Sequence, residues 1–147
     1  MNWTELLFSF SGRINRARYW LFFVIYLVSV LILAGIAALL VPNPAPAAAI
    51  AYAIVALVWF IVLFIGSIAI GMKRLHDRDK SGWWLLLFYV LPALFSGAGQ
   101  AAADIGNVGA QIVCGLIALV IGIWALVELG FLRGTRGLNR YGPDPLE

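Results

Sequence analysis

"WWLLLFYVLPALFSGAG", residues 83–99, decides the topology of this chain. The stretch is strongly apolar as far as Phe95 and then continues through Ser96, Gly97, Ala98 and Gly99, with Pro92 inside it. An α-helix rises about 1.5 Å per residue, so crossing a hydrocarbon core about 30 Å thick takes about 20 residues. The apolar part alone is too short. Carried through Gly99 it makes a short crossing, kinked where Pro92 removes a backbone donor, which neighbouring helices can compensate. The alternative is a re-entrant or interfacial segment that leaves by the face it entered.

Three flanking runs need no such weighing. Residues 19–41 and 50–72 carry no charge, and residues 111–132 carry one acid, Glu128. Each is long enough to cross as a helix. Charge then decides the weak span. The N-terminal arm holds Arg13, Arg16 and Arg18, the 73–82 loop holds Lys73, Arg74, Arg78 and Lys80, and the tail holds Arg133, Arg136 and Arg140. The 42–49 loop is uncharged, and the 96–110 loop holds only Asp104. With four crossings every Lys and Arg falls on one side, which the positive-inside rule makes cytoplasmic, with both termini inside. With three, the tail arginines would lie outside. The charge pattern therefore supports residues 83–99 as a crossing independently of their hydropathy.

Composition agrees with a lipid solvent. The chain of 147 residues is 63% hydrophobic and 12% charged, against roughly 45–50% and about 25% in soluble domains. A soluble core of this size could not cover that much apolar surface. The net charge of +3 reads as membrane orientation, because the basic residues cluster beside apolar runs, and no nucleic-acid partner is expected. Cys114 is the single cysteine, so no intrachain disulfide and no Cys-based metal spacing exist, and the redox compartment is not readable. The expected fold is all-α integral membrane, a single domain over 1–147 with spans at about 19–41, 50–72, 83–99 and 111–132. A signal-peptide reading, with residues 45–47 (Ala-Pro-Ala) as a cleavage site, fits poorly, because the run before it exceeds the usual 7–15 apolar residues.

Trp3, Leu6, Leu7 and Phe10 fall at i, i+3, i+4 and i+7, predicting a short amphipathic helix in the cytoplasmic interface, ended by Ser11-Gly12. "RARYWLFF" before the first span and "DKSGWWLLLF" before the third hint at two helical hairpins in parallel repeat. Ser67/Gly71 and Gly130/Gly134 are small-xxx-small pairs that permit close helix approach, with Gly115 and Gly122 in a similar role. Tyr19, Trp20, Trp83 and Trp84 sit where a cytoplasmic aromatic belt is expected.

Four crossings bring residues 1–18, 73–82 and 133–147 to one face. Ten basic residues meet five acids there, Glu5, Asp77, Asp79, Asp144 and Glu147. A single cytoplasmic cap is expected, built from Arg13, Asn15, Arg16, Arg18, Arg74, His76, Asp77, Arg78, Asp79, Asn139, Arg140 and Asp144. In it Asp77 and Asp79 pair with arginines of the arm and tail, since the planar guanidinium binds carboxylates bidentately. The alternative is three solvated segments that share only a side of the membrane. His76, Asp77, Asp79 and Glu128 are the available acid–base groups, but one His between alternating charges makes no metal ligand set. The chain has no Gly-rich phosphate loop. No catalytic residue, metal or cofactor is expected. Glu128 lies about 7 Å from the end of its helix; a structural pair with a cap arginine and a proton-relay role both fit an intramembrane acid.

"GRINRARYW" (12–20), "KRLHDRDKSGWW" (73–84) and "GTRGLNRYGPDP" (134–145), in that order around four apolar spans, closely resemble a family of small bacterial inner-membrane proteins known as domain of unknown function 805. The resemblance covers nearly the whole chain. It implies a multi-pass protein of the bacterial cytoplasmic membrane. It also groups Gly12, Arg13, Asn15, Arg16, Arg18, Tyr19 and Trp20 in one motif, Arg74 to Arg78 with Ser81, Gly82 and Trp83 in a second, and Gly134 with Asn139 to Pro143 in a third. It implies no activity. The function expected from the residues is a non-enzymatic membrane protein whose basic cap binds anionic lipid or a partner protein. The alternative is a small transporter or channel component acting as a homo-oligomer, using Glu128 and the Pro92 kink, although mid-membrane polar residues are scarce.

Overall fold

The computed structural model describes residues 2–40 and 45–147. Residues 41–44, which include the end of the first expected span and the start of the loop after it, lie outside the described residues. Every regular element is helical: α1 (Trp3–Phe8), α2 (Arg16–Leu40), α3 (Pro46–Asp77), α4 (Leu86–Asp104) and α5 (Val108–Phe131). Four of these, α2 to α5, are long and apolar enough to cross a membrane. Side chains such as Phe60, Leu94, Leu119 and Val120 point outward along them, an arrangement that hydrocarbon tolerates and water does not.

The helix ends differ from the sequence expectation in informative ways. α3 does not stop at Met72 but runs through Asp77, so that Lys73, Arg74, His76 and Asp77 belong to its last turns and are buried. Charge was expected to mark solvent there; the charges instead lie inside a packed end. α4 runs on to Asp104, and only residues 105–107 separate it from α5. The 96–110 segment is therefore mostly helix. Asn107 opens α5 by accepting from the Ala110 amide at 3.1 Å, which satisfies one of the amides a helix start leaves free. In α1, Phe10 falls past the helix end, so the amphipathic stripe is shorter than its spacing predicted.

Two of the spans contain π-helical turns, at Leu86–Val90 and Val127–Phe131. The first leads directly into the turn that contains Pro92. A proline ring collides with the carbonyl of residue i−4 and leaves it without a donor, and a widened turn is one way a helix relieves both. The second turns Glu128, Leu129 and Gly130 inward together.

Buried apolar side chains concentrate at the end of the bundle where α2 and α4 begin and α3 and α5 finish. Leu6 and Ile14 pack with Phe22 and Ile70. Leu75, Leu85, Phe88 and Leu129 form a second cluster beside Tyr19 and Met72. Away from that end, α4 and α5 stay packed, whereas α2 and α3 separate around an apolar cavity. The two hairpins are thus not packed alike, and the suggested repeat does not extend to packing. Close approach occurs at Gly71 against Leu85 and Gly130 against Trp20, but a Cβ at Gly115 or Gly122 would meet nothing within 4 Å. Those two glycines play no part in packing within the described chain.

Candidate functional site: the charged end of the bundle

A helix ends with four carbonyls that have no intrahelical donor, and these carry the negative end of the helix dipole. The charged end of this protein is organised around that fact. Five successive carbonyls at the end of α5 each receive a side-chain donor. Arg74 Nε donates to Leu129 O at 2.6 Å. Trp20 Nε1 donates to Gly130 O at 3.0 Å and Arg16 to Phe131 O at 2.9 Å. Arg74 also reaches Leu132 O, and Arg78 donates to Arg133 O at 2.7 Å. Arg74 and Arg78 stand one turn apart, so both fall on the same face of the end of α3.

The end of α3 is closed in turn. Asp79 adopts φ 56°, a left-handed conformation that Asp tolerates better than most residues. Around it Lys80 N donates to Leu75 O at 2.9 Å and Asp79 N to His76 O at 3.0 Å, the pair of bonds of a Schellman motif. The remaining carbonyl capacity is taken by the tail: Asn139 Nδ2 donates to His76 O at 2.9 Å, and the Thr135 amide to Asp77 O at 2.8 Å. α1 is held in the same manner. The Lys73 ammonium, fully buried, donates to Glu5 O and Leu6 O.

Asp77 sits at the centre. Its carboxylate accepts from Arg13 at 3.0 Å and from Arg74 on its own helix. Arg13 continues into the tail, donating to Gly137 O at 2.7 Å and Gly142 O at 3.1 Å. Gly134 passes so close that a Cβ there would overlap the Asp77 carboxylate. Three further ion pairs surround this centre. Glu128, nearly buried, accepts from Arg78 at 3.0 Å and Lys80 at 2.8 Å. Asp79 pairs with Arg140 at 3.0 Å on the surface, where such a pair contributes little.

His76 stacks flat on Tyr141, with ring centroids 3.8 Å apart and planes 5° apart. Its Nδ1 lies 3.2 Å from Gly12 O, and because a carbonyl only accepts, Nδ1 carries the proton. Asn15 caps α2, its side chain accepting from the Arg18 amide at 3.0 Å. Asp144 is in no ion pair among the described residues. Its oxygens accept from the Gly137 and Leu146 amides and shape the tail.

Of the twelve residues nominated at this end, eleven are joined by these bonds to another segment or to their own helix end or turn. Arg18 extends outward, its side chain without a partner among the described residues. Lys73, Thr135, Trp20 and Gly134, not among those twelve, also take part in the assembly. No buried side-chain nitrogen or oxygen among the described residues lacks a hydrogen-bond partner.

A family model described as "Protein of unknown function (DUF805)" matches residues 7–143. Uncharacterized protein YiiR of Escherichia coli (strain K12) is 32% identical over 140 residues, which is 95% of this chain and 88% of that protein. Inner membrane protein YhaH of Escherichia coli (strain K12) is 28% identical over 136 residues, 92% of this chain and 86% of that protein. Inner membrane protein YhaI of the same organism matches at the same 28% identity, over 92% of this chain and 85% of that protein. No solved structure matches the chain significantly.

Proposed function

This chain belongs to the DUF805 family of proteins of unknown function, and from that premise we propose that it is a multi-pass bacterial inner-membrane protein whose charged end is a cytoplasmic cap that binds anionic lipid. Relatives named inner membrane proteins support the location. The position of every Lys and Arg on the side where α3 ends supports the orientation, with both termini cytoplasmic. One membrane domain spans 1–147, with the cap drawn from 1–18, 73–82 and 133–147, and α1 lying in the interface beside it.

One observation carries the lipid reading. The acids Asp77, Glu128 and Asp79 are engaged by Arg13, Arg74, Arg78, Lys80 and Arg140. Four arginines, Arg16, Arg18, Arg133 and Arg136, are exposed and in no ion pair among the described residues, and they outnumber the unpaired acids of the same face, Glu5, Asp144 and Glu147. Four such groups at headgroup level suit phosphates, each contributing about 1 kcal/mol toward an anionic surface. A transporter reading has less support, because Glu128 is tied to Arg78 and Lys80 and the mid-membrane stretches hold few polar groups.

Purified protein in neutral detergent, titrated with phosphatidylglycerol or phosphatidylcholine, tests this. Binding of phosphatidylglycerol is expected to be tighter and to weaken with salt. Replacing Arg18, Arg133 and Arg136 by Gln should weaken it by roughly fivefold per residue. Equal binding of phosphatidylcholine overturns the proposal. Recovery of a stoichiometric protein partner that competes with the lipid would move the cap to a protein-binding role.

A further inference from the structure

α2 and α3 touch near the charged end, where a Cβ at Gly66 would meet Phe22 at 3.3 Å. They are joined again where Tyr52 Oη donates to Leu33 O at 3.0 Å. Along the same two helices runs a cavity of about 580 Å³ whose lining includes Phe22 and continues past it to Tyr19 and Ile70. Its lining on α2 runs from Tyr19 to Leu33 and on α3 from Ala56 to Ile70, a stretch of fifteen residues on each helix, or about 21 Å at 1.5 Å per residue. The walls are apolar except for hydroxyls from Tyr19, Tyr26 and Tyr89 and from Ser67. Phe23, Phe60 and Phe64, which line the cavity, are also exposed to the outside, so the cleft opens sideways into the bilayer.

We propose that this cleft takes one fatty-acyl chain of an anionic phospholipid whose phosphate rests between Arg16 and Arg18. Shape favours a chain over a helix. A helix is about 10 Å wide, whereas a single hydrocarbon chain is about half as wide and suits a cleft between two helices that meet at Phe22 and are tied at Tyr52. Charge supplies the orientation. At 100° per residue, Arg16 and Arg18 flank the stripe that begins at Tyr19, and long arginine side chains reach the headgroup plane from just inside it. Of the residues that bring a hydroxyl to the cleft, Tyr19 belongs to the same first turn of α2 as Arg16 and Arg18, the level at which ester oxygens of a lipid need donors. The proposal rests on the anionic-lipid reading above and adds a defined chain site to it.

The full chain, reconstituted in phosphatidylcholine vesicles with a trace of phosphatidylglycerol bearing a diazirine in one acyl chain, provides the test. Photolabel is expected to concentrate at least fivefold on peptides covering 19–33 and 56–70 over the outward face of α5. Excess unlabelled phosphatidylglycerol should compete it away. Ala56→Phe, which narrows the cleft without touching a charge, should reduce that labelling about fivefold. The distribution in the unsubstituted protein decides the matter if the variant does not fold. Label spread evenly over the four spans overturns the cleft while leaving salt-sensitive phosphatidylglycerol binding intact. Equal labelling of the same peptides by a phosphatidylcholine probe overturns the choice of an anionic lipid.

Discussion

The two ends of the helical bundle are built on different principles. At the charged end, donors from the start of α2, the last turns of α3, the turn after it and the tail seal the carbonyl ends of α1, α3 and α5, and Asp77 is buried between two arginines. At the other end, α2 and α3 are tied by the bond from Tyr52 to Leu33, and α4 approaches α5 where Gly99 lies near Cys114. Helices in lipid gain little from the hydrophobic effect when they meet, because the surrounding chains are as apolar as the side chains. A sequence can therefore leave its spans merely apolar, provided that polar groups elsewhere define which helix goes where. Here that definition is concentrated at one end.

Substitutions can break this contrast, and they rank in size. Asp77→Ala leaves Arg13 and Arg74 buried without a counter-charge and should lower unfolding stability by about 3–5 kcal/mol; denaturant titration in mixed micelles, followed by tryptophan fluorescence, reads it. A loss below about 1 kcal/mol would mean that Asp77 is not the centre of the assembly. Gly134→Ala forces a methyl group against the Asp77 carboxylate and should cost about 1–3 kcal/mol, and a second substitution at Asp77 should make it nearly silent. Glu128→Gln keeps the shape but weakens bonds to Arg78 and Lys80, which water partly reaches. About 1 kcal/mol is expected, because Arg78 and Lys80 stay partly in water although Glu128 itself is buried. Tyr52→Phe, at the opposite end, removes one interhelical bond and should cost about 0.6 kcal/mol. If it matches Asp77→Ala, the two ends are equally important and the contrast fails.

The existence of four spans was legible in the sequence, and so was their common charged side, because hydropathy and the placement of Lys and Arg are both local properties. The weak span at residues 83–99 was recognisable once charge was added, and its continuation to Asp104 was not, since Ala101 to Ala103 carry no strong signal. The charged end was legible as a list of residues but not as an arrangement. Arginines suggest carboxylates as partners, and Asp77, Asp79 and Glu128 do meet basic groups. Yet Arg16, Arg74 and Arg78 also bind main-chain oxygens of residues 129–133. Any residue type presents a carbonyl, so such a partner leaves no mark in sequence. Lys73 is legible as a basic residue of the cap but not as a buried donor to α1, and hydropathy ends the span at Met72 because it makes no allowance for a buried ammonium.

The tail that closes α3 lies more than fifty residues downstream of it, with two further spans between. During synthesis the end of α3 is made, and placed at the membrane, well before Thr135 and Asn139 exist to meet its carbonyls. Until then the waiting polar groups must stay wet. The charged end can consequently dry and lock only after α5 is in place: a chain whose fourth span fails to insert keeps this end open to water.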